Sequence, residues 1–311
     1  MDMDIHSFME SHYRHFNAGE LTRCASSLVG FLNSGGRLVL TLAGALSTAQ
    51  IGHSLAPAIR AGKVHAISCT GANLEEDVFL LMAGDNYETV EDWRGQSLEQ
   101  DHHLFERGMN RVTDVCIPEE EAIRRVESMM LDVWKEEPRF PHEHLYELLD
   151  RIDPGPRAKS SWLIAAKEMN IPLLVPGWED STLGNLFAAA CIRGDLSVEM
   201  VRTGIDYMVG FADWYRSQTK PVGFLQVGGG IAGDFPICVV PMLNQDLGAK
   251  VPLWSWYGQI SESSTSYGGY SGAPPNEKIT WGKIGIDTPR FVIESDATIV
   301  LPLILTCLLE S

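Results

Sequence analysis

The chain has 311 residues, with 24 Lys and Arg against 41 Asp and Glu, giving a formal net charge of −17. This acidic balance argues against a nucleic acid as the partner, because a polyanion needs Lys and Arg to replace its counterions. With 45% hydrophobic and 21% charged residues, the chain is expected to bury a sizeable core rather than remain disordered. Its length allows one large α/β domain or two smaller ones.

The terminal segments and the cysteines predict a soluble, cytoplasmic protein. The first residues, MDMDI, are acidic and lack the basic and apolar regions of a secretory signal. The apolar run 297–309 contains Pro302 and is too short to cross a bilayer. No CxxC pair occurs among the six cysteines, a pattern typical of reduced thiols in the cytosol. No membrane partner is expected.

Strand and helix patterns alternate in the first part of the chain. The expected elements are a strand over 37–42, a helix over 47–61, a strand over 64–69, a turn at 70–73 and a helix that begins at Leu74. Glu75, Glu76 and Asp77 would lie in the first turn of this last helix, where carboxylates suit the positive end of the helix dipole. Strand, small-residue turn and helix in repetition indicate a parallel α/β sheet.

Residues 85–156 are the most charged part of the chain and show no clear strand, although 119–134 has helical spacing. The alternation then resumes. Its expected elements are a helix over 160–169, a strand over 171–175, a helix over 198–217, strands over 222–227, 253–260 and 291–294, and a closing helix from Asp296. We therefore predict a single domain over 1–311 with a doubly wound, mostly parallel, Rossmann-like sheet and helices on both faces. Residues 85–156 would form a helical insertion or a flanking layer.

Four turns made of small or acidic residues directly follow predicted strands. They are Ala43-Gly44, Thr70-Gly71-Ala72, Glu179-Asp180 and Gly228-Gly229-Gly230. In an open parallel sheet, ligands bind outside the carboxyl ends of the strands. No GxxxxGK motif occurs, which argues against a P-loop NTPase. Small residues also form ordinary tight turns, but four such turns together favour a nucleotide crevice.

The segment from Ser271 to Lys283, SGAPPNEKITWGK, carries the most chemical information. Its prolines and glycines fix a non-helical path that presents Glu277, Trp281 and Lys283. An indole beside a lysine excludes water, which favours the neutral amine that attacks a carbonyl or imine. Glu277 could anchor a cationic ligand, and Trp281 offers a face for cation–π contact. The alternative interpretation is a surface lysine beside a core tryptophan.

The histidines and the remaining cysteines predict little chemistry. All nine histidines precede residue 145, so no local histidine base is expected near Gly228 or Lys283. Neither His102-His103 nor His142-Glu-His144 has the i, i+4 spacing and third ligand of a zinc site, and no metal is expected. Cys191 and Cys238 are interpreted as buried, small apolar residues.

These motifs resemble those of the deoxyhypusine synthase family. The pattern Ser271-Gly-Ala-x-Pro-x-Glu-x-x-x-Trp-Gly-Lys283 resembles the segment that carries the family's active-site lysine. The other matching motifs, in the family's order, are Thr70-Gly71-Ala72 with Leu74-Glu75-Glu76-Asp77, Asp180-x-x-Leu183-Gly184, Gly228-Gly229-Gly230 and Ser295-Asp296-Ala297. The resemblance covers most of the chain.

The resemblance implies an NAD-dependent transfer of a 4-aminobutyl group from a polyamine, spermidine or putrescine. Lys283 would carry the group as an imine and pass it to an amine, and the NADH formed in the first step would reduce the product. Family enzymes are homotetramers with active sites shared between subunits, so a homo-oligomer is implied. The implied cofactor-binding residues are Ala43, Gly44, Ser47, Thr70, Gly71, Ala72, Glu76, Asp180, Gly229, Ser263, Asp296 and Ala297.

The amine pocket departs from the family pattern. Asp234 stands where the family has a histidine, Asn185 where it has an aspartate, and Tyr267-Gly-Gly-Tyr270 where it has an Asp-rich loop. The expected substrate-binding residues are Glu75, Asn185, Asp234, Tyr270, Glu277 and Trp281. These changes favour a small diamine as acceptor, as in the homospermidine synthases of this family. The alternatives are a deoxyhypusine synthase acting on a lysine of the hypusine-bearing translation factor, and a catalytically silent NAD-binding relative.

Overall fold

A parallel sheet forms the centre of the computed structural model, which describes residues 4–202, 204–265 and 268–311. The strands, in chain order, are β1 (Arg37–Leu42), β2 (Ala66–Cys69), β3 (Glu88–Thr89), β4 (Met109–Val112), β5 (Val115–Pro118), β6 (Leu173–Leu174), β7 (Val222–Val227), β8 (Trp256–Ile260) and β9 (Arg290–Ile293). Six of them pair in the order β6-β2-β1-β7-β8-β9, all parallel. Counted in chain order, this is the 3-2-1-4-5-6 arrangement of doubly wound dinucleotide-binding folds. The predicted fold class is confirmed.

Burial explains why these strands could be predicted. β7 and β8 are buried along their whole length, and β1 is buried at every position after Arg37. A strand covered on both faces has no polar side, so it appears in the sequence as a continuous apolar run.

Helices surround the sheet. They are α1 (Ile5–His12), α2 (Phe16–Asn33), α3 (Gly52–Arg60), α4 (Gly71–Ala83), α5 (Leu98–Glu106), α6 (Arg125–Val133), α7 (Pro141–Leu149), α8 (Trp162–Glu168), α9 (Thr182–Arg193), α10 (Gly204–Arg216), α11 (Gly230–Ile237), α12 (Val239–Pro241), α13 (Glu277–Thr280) and α14 (Ala297–Leu309). The closing helix α14 packs on α2 and α3. Within the described residues, no helix is long and apolar enough to cross a membrane.

The charged section 85–156 contains a second, antiparallel sheet with the strand order β3-β5-β4. The prediction of no strand in this section is therefore wrong. These strands are two to four residues long and only partly buried in β3 and β4, so they leave no alternating apolar pattern. Val112 pairs with Val115 across a tight turn in which Thr113 adopts a positive φ of 56°. The boundaries of the insertion stay a prediction.

Several predicted helix limits differ from the structure. The predicted turn 70–73 is the start of α4, because the Thr70 side chain accepts a hydrogen bond from the Asn73 amide and caps the helix. Glu75, Glu76 and Asp77 consequently lie beyond the first turn and are buried. The helix predicted over 47–61 begins only at Gly52, and that predicted over 198–217 is a 3-10 turn over 198–200 followed by α10. The sequence patterns did not predict the amino-terminal helices α1 and α2.

Candidate active site

The small-residue turns lie together at one edge of the central sheet. Each follows a strand: Ala43 and Gly44 follow β1, Thr70 to Ala72 follow β2, Asp180 follows β6, Gly229 follows β7, Ser263 follows β8, and Asp296 and Ala297 follow β9. Because the strands are parallel, their carboxyl ends share this edge. The strand order reverses between β1 and β7, where such folds bind ligands. The two turns there are close, since a Cβ on Gly228 would lie 2.7 Å from the Ala43 Cβ.

Asn73 holds the turn after β1, and sequence reasoning missed this residue. Its fully buried amide donates to the Gly44 carbonyl at 2.9 Å and accepts from the Ser47 amide at 3.0 Å. The Ser47 hydroxyl donates to the Asn73 carbonyl at 2.6 Å and accepts from Trp162 Nε1 at 2.9 Å. Ser47 therefore shapes the turn with its side chain, and its hydroxyl already has protein partners.

Two of the three consecutive acidic residues of α4 are bound by the starts of other helices. Glu75 accepts from the Thr182 and Leu183 amides of α9 at 2.9 and 2.7 Å. Asp77 accepts from the Ser161 hydroxyl and from the Trp162 amide of α8. Burial raises the pKa of both carboxyls, that of Asp77 to about 6, and these hydrogen bonds oppose the rise. Glu75 therefore accepts hydrogen bonds from the start of α9, an interaction that was not expected from its predicted role in amine binding.

Glu76 differs from its neighbours because its buried Oε2 has no hydrogen-bond partner. Burial, with the adjacent Glu75 carboxyl second, raises the pKa of Glu76 to about 8. A buried polar atom without a partner is rare in folded proteins. Glu76 is therefore the acidic residue of α4 that has an unused acceptor atom.

The Glu76→Gln variant should be more stable than the unmodified protein, by an amount that grows with pH. The folded-state pKa of Glu76 lies above its unfolded value, so ionisation costs stability as the pH rises from about 4.5 to about 8. Glutamine cannot ionise. At about 1.4 kcal/mol per pKa unit, we expect a gain on the order of a few kcal/mol at pH 8 and little at pH 4.5, measured by urea unfolding. Equal differences at both pH values, or the same trend in the exposed Glu91→Gln control, would contradict this assignment.

Lys283 is buried and paired with a carboxylate. Its side chain is only 8% exposed, and Nζ donates to Asp234 Oδ1 of α11 at 3.0 Å. Cys238, one turn after Asp234, approaches the same oxygen with its Sγ at 3.7 Å. Burial raises the pKa of the Cys238 thiol, and the Lys283 charge opposes that rise. Cys191 and Cys238 are both only partly buried, so their interpretation as buried, small apolar residues is wrong.

Two aromatic rings flank the Lys283 amine. Nζ lies 5.5 Å from the centre of the Tyr270 ring and 5.9 Å from that of Trp281. Trp281 is 65% exposed, whereas the Tyr270 hydroxyl is buried without a hydrogen-bond partner. Lys283 is therefore buried and Trp281 exposed. This is the opposite of the alternative interpretation, a surface lysine beside a core tryptophan.

Close backbone contact fixes the lysine segment against α11. A Cβ on Gly229 would overlap the Ser271 hydroxyl and lie 2.5 Å from the Ser271 Cα. The Ser271 carbonyl accepts from Ser261 Oγ at 2.9 Å and Gln259 Nε2 at 3.2 Å. Ser271 thereby joins the segment to the ends of both β7 and β8.

Four other predicted residues are exposed. Asn185 lies in the first turn of α9, Asp180 precedes that helix, and Ser263 lies after β8. Glu277 begins α13, so the predicted non-helical path of the lysine segment is wrong over 277–280. Tyr267 falls outside the described residues. Among residues that the structure describes, no group of three or more His, Cys, Asp or Glu could hold a metal ion. Sequence reasoning missed Lys278, which is buried beside Tyr257 and Tyr270.

Comparison with known proteins identifies the family. The family model for deoxyhypusine synthase matches residues 6–308. The chain belongs to the deoxyhypusine synthase family. It is 30% identical over 313 residues to an Aeropyrum pernix protein named "Probable deoxyhypusine synthase", covering 99% of this chain and 92% of that one. It is also 27% identical over 277 residues to "Probable deoxyhypusine synthase 2" of Methanosarcina mazei, with 88% and 76% covered.

A solved structure supports the fold. A crystal structure from Entamoeba histolytica that carries the family's name aligns with a TM-score of 0.61 at 12% identity, covering 98% of this chain and 93% of that one. Deoxyhypusine synthases are transferases, and the family as a whole supports aminobutyl transfer. The resemblance inferred from the lysine segment is therefore confirmed at the level of the family.

Proposed function

We propose that this protein transfers a 4-aminobutyl group from a polyamine, spermidine or putrescine, to an amine acceptor in an NAD-dependent reaction, with Lys283 as the carrier. The observation that carries this proposal is the buried Lys283 amine, 3.0 Å from Asp234, beside the carboxyl edge of a dinucleotide-type sheet. Burying a charged amine costs free energy even when it is paired, which favours a functional role for a lysine kept in this position. Family membership supports the same reaction class.

The residues at the sheet edge fit a dinucleotide. The partnerless Glu76 Oε2 offers an acceptor to ribose hydroxyls, as an acidic residue does in doubly wound folds. Gly71 and Ala72 open α4, a helix N-terminus of the kind that binds phosphate. Asp296 caps α14 by accepting from the Thr298 amide at 2.8 Å. We propose that the twelve cofactor-binding residues predicted from the resemblance form the NAD site. Ser47 would contribute through its position in the turn, because its hydroxyl already has protein partners. When bound, NAD would accept a hydride from the carbon beside the amine nitrogen and, as NADH, return it to the product imine.

The chain's own residues would perform the transfer at Lys283. Asp234 takes the proton that the Lys283 ammonium must lose, because its carboxylate accepts the hydrogen bond from Nζ. The free amine attacks the substrate imine carbon, and the first amine leaves with a proton. The acceptor amine then attacks the Lys283 imine, and Lys283 is released. Tyr270 excludes water from this exchange, while the exposed Trp281 offers a face to the substrate cation.

Asp234→Asn should slow imine formation on Lys283 by about a hundredfold at neutral pH. Asparagine keeps the shape of the side chain but cannot accept a proton. The rate is measured by quenching the reaction with borohydride and determining the mass of the intact protein by mass spectrometry. Asp287→Asn, which changes an exposed aspartate, is the control. An unchanged rate in Asp234→Asn would show that another group takes the proton.

The proposed acceptor is a small diamine, because the groups expected to hold a longer amine have changed type at Asn185, Asp234 and Tyr270. A polyamine panel with the hypusine-bearing translation factor present or absent tests this. Product formed without the factor supports a small acceptor, and product formed only with it supports deoxyhypusine synthase activity. A protein that binds NAD but forms no product would be a silent relative.

A homo-oligomer, a tetramer by family resemblance, is proposed as the active state. Trp281 lies within 5.9 Å of the buried amine and yet is 65% exposed. A neighbouring subunit would cover such a ring and complete the amine pocket. Light scattering coupled to size-exclusion chromatography measures the state directly.

A further inference from the structure

Lys278 is the second buried lysine of the site, and the proposed mechanism does not use it. It is 3% exposed, and its position is left open in the family's lysine motif. Its Nζ lies 5.0 Å from the centre of the Tyr257 ring and 4.9 Å from that of Tyr270. Its hydrogen bond to the Ala273 carbonyl is long at 3.5 Å. Among the described residues, no carboxylate forms an ion pair with it.

The two tyrosines, which we call the tyrosine cage, come from different parts of the site. Tyr257 lies in β8, and its hydroxyl contacts Gln226 Oε1 at 2.8 Å. Tyr270 lies in the segment that leads into Ser271, and its ring packs against Gly233 of α11. Paired aromatic rings around a cation are how proteins recognise ammonium ligands. Here an ammonium of the chain itself occupies the cage.

The charges around Lys278 support an ammonium at neutral pH. Burial and, second, the charge of Lys283 lower the pKa of Lys278 to about 8, although Glu277 on its own helix and Asp234 on α11 oppose the decrease. The other titratable groups near this cluster are Cys238 of α11 and the two cage tyrosines. At pH values below this pKa of about 8, most molecules therefore hold a charged amine in the cage.

The cage lies within substrate reach of the proposed carrier. Lys278 and Lys283 both contact the Tyr270 ring, so their Nζ atoms are at most 10.4 Å apart, the sum of the two amine-to-ring distances. A polyamine attached near Lys283 could therefore extend a further nitrogen towards the cage. Lys278 already holds that position with its own ammonium.

We propose that Tyr257 and Tyr270 form a subsite for a primary alkylammonium, that Lys278 fills it internally, and that Lys278 thereby restricts the substrate to short diamines. The link to substrate length rests on the proposed function, whereas ligand binding in the cage does not. If Lys278 were purely structural, its substitution would lower the stability of the protein without creating a ligand site.

Two variants of the full chain separate these possibilities. Lys278→Ala removes the amine and leaves the cage empty, whereas Lys278→Met fills the same space without charge. The probe is propylammonium, with 1-propanol as its neutral counterpart, in calorimetry and thermal unfolding at pH 7. We expect saturable binding and a higher Tm with propylammonium in Lys278→Ala only. If that variant is unfolded, recovery of folded protein with propylammonium but not with propanol reports the same site.

Substrate selectivity provides the second readout. We expect the ratio of spermidine to putrescine turnover to rise at least tenfold in Lys278→Ala and to stay near that of the unmodified protein in Lys278→Met. Absence of propylammonium binding and recovery, or equal binding of propanol, would overturn the subsite, and unchanged selectivity would overturn the role in substrate length. If the unmodified protein turns over no polyamine, the proposed function and the substrate restriction fail. The binding of propylammonium to Lys278→Ala still tests the subsite in that case.

Discussion

Lys283→Ala should abolish the covalent adduct and reduce amine transfer by at least about a thousandfold, because no other group in the proposed mechanism can carry the imine. The reaction would lose its two-step route, since the donor and acceptor amines would have to exchange directly. Product formation is measured chromatographically with NAD and putrescine or spermidine. The adduct is measured as a mass increase after borohydride reduction.

A matched variant separates the carrier role from simple loss of charge. Lys283→Arg keeps a cation beside Asp234 but has no primary amine that could form an imine. It should be as inactive as Lys283→Ala while retaining more stability, because removing one partner of a buried ion pair is destabilising. Lys135→Ala, which changes an exposed lysine, should retain full activity. Substantial turnover by Lys283→Arg would contradict the covalent route.

Gly229→Ala should disrupt both the proposed cofactor-binding edge of the sheet and the lysine segment that begins at Ser271. The added Cβ would overlap the Ser271 hydroxyl and lie 2.5 Å from its Cα, so the backbone of the lysine segment must move. Overpacking of this kind costs about 1–3 kcal/mol. We also expect NAD affinity and adduct formation each to fall by at least about tenfold, because Gly229 and Ser271 join the cofactor edge to the lysine segment. Urea unfolding and calorimetric titration with NAD measure these effects.

The neighbouring glycine supplies the control. Gly230 has a positive φ of 57°, but nothing lies within 4 Å of a Cβ placed there. Gly230→Ala should therefore cost about 1–2 kcal/mol through backbone conformation alone and leave the Ser271 contact in place. Similar effects of both variants on NAD affinity and adduct formation would show that the contact between Gly229 and Ser271 does not organise the site.

The central sheet could be predicted because its strands are buried on both faces. β1 and β7 appear as the apolar runs RLVLTL and VGFLQV, and the small residues after them fall at the same edge once the strands are parallel. The short strands β3 to β5 could not be predicted from local pattern, since their pairing rather than their composition defines them. The start of α4 was misplaced because the capping side chain of Thr70 was interpreted as part of a turn.

The candidate site was partly predictable for a similar reason. Lys283, Trp281 and Tyr270 lie within fourteen positions of one another in the chain, so the local sequence is enough to place them together. The environment of the acidic residues of α4 was not predictable, because it depends on where α8 and α9 begin. Lys278 was missed because nothing in the local sequence distinguishes a buried lysine from an exposed one; only Tyr257, twenty-one positions earlier, completes its surroundings.

Borohydride trapping with site mapping tests the carrier role most directly. The protein is incubated with NAD and each common polyamine, reduced, digested and sequenced by mass spectrometry. We predict a reduced four-carbon amine adduct at residue 283, dependent on NAD and absent from Lys283→Arg. An adduct at another lysine, or none with any polyamine in a protein that binds NAD, would contradict the assignment of Lys283 as the carrier.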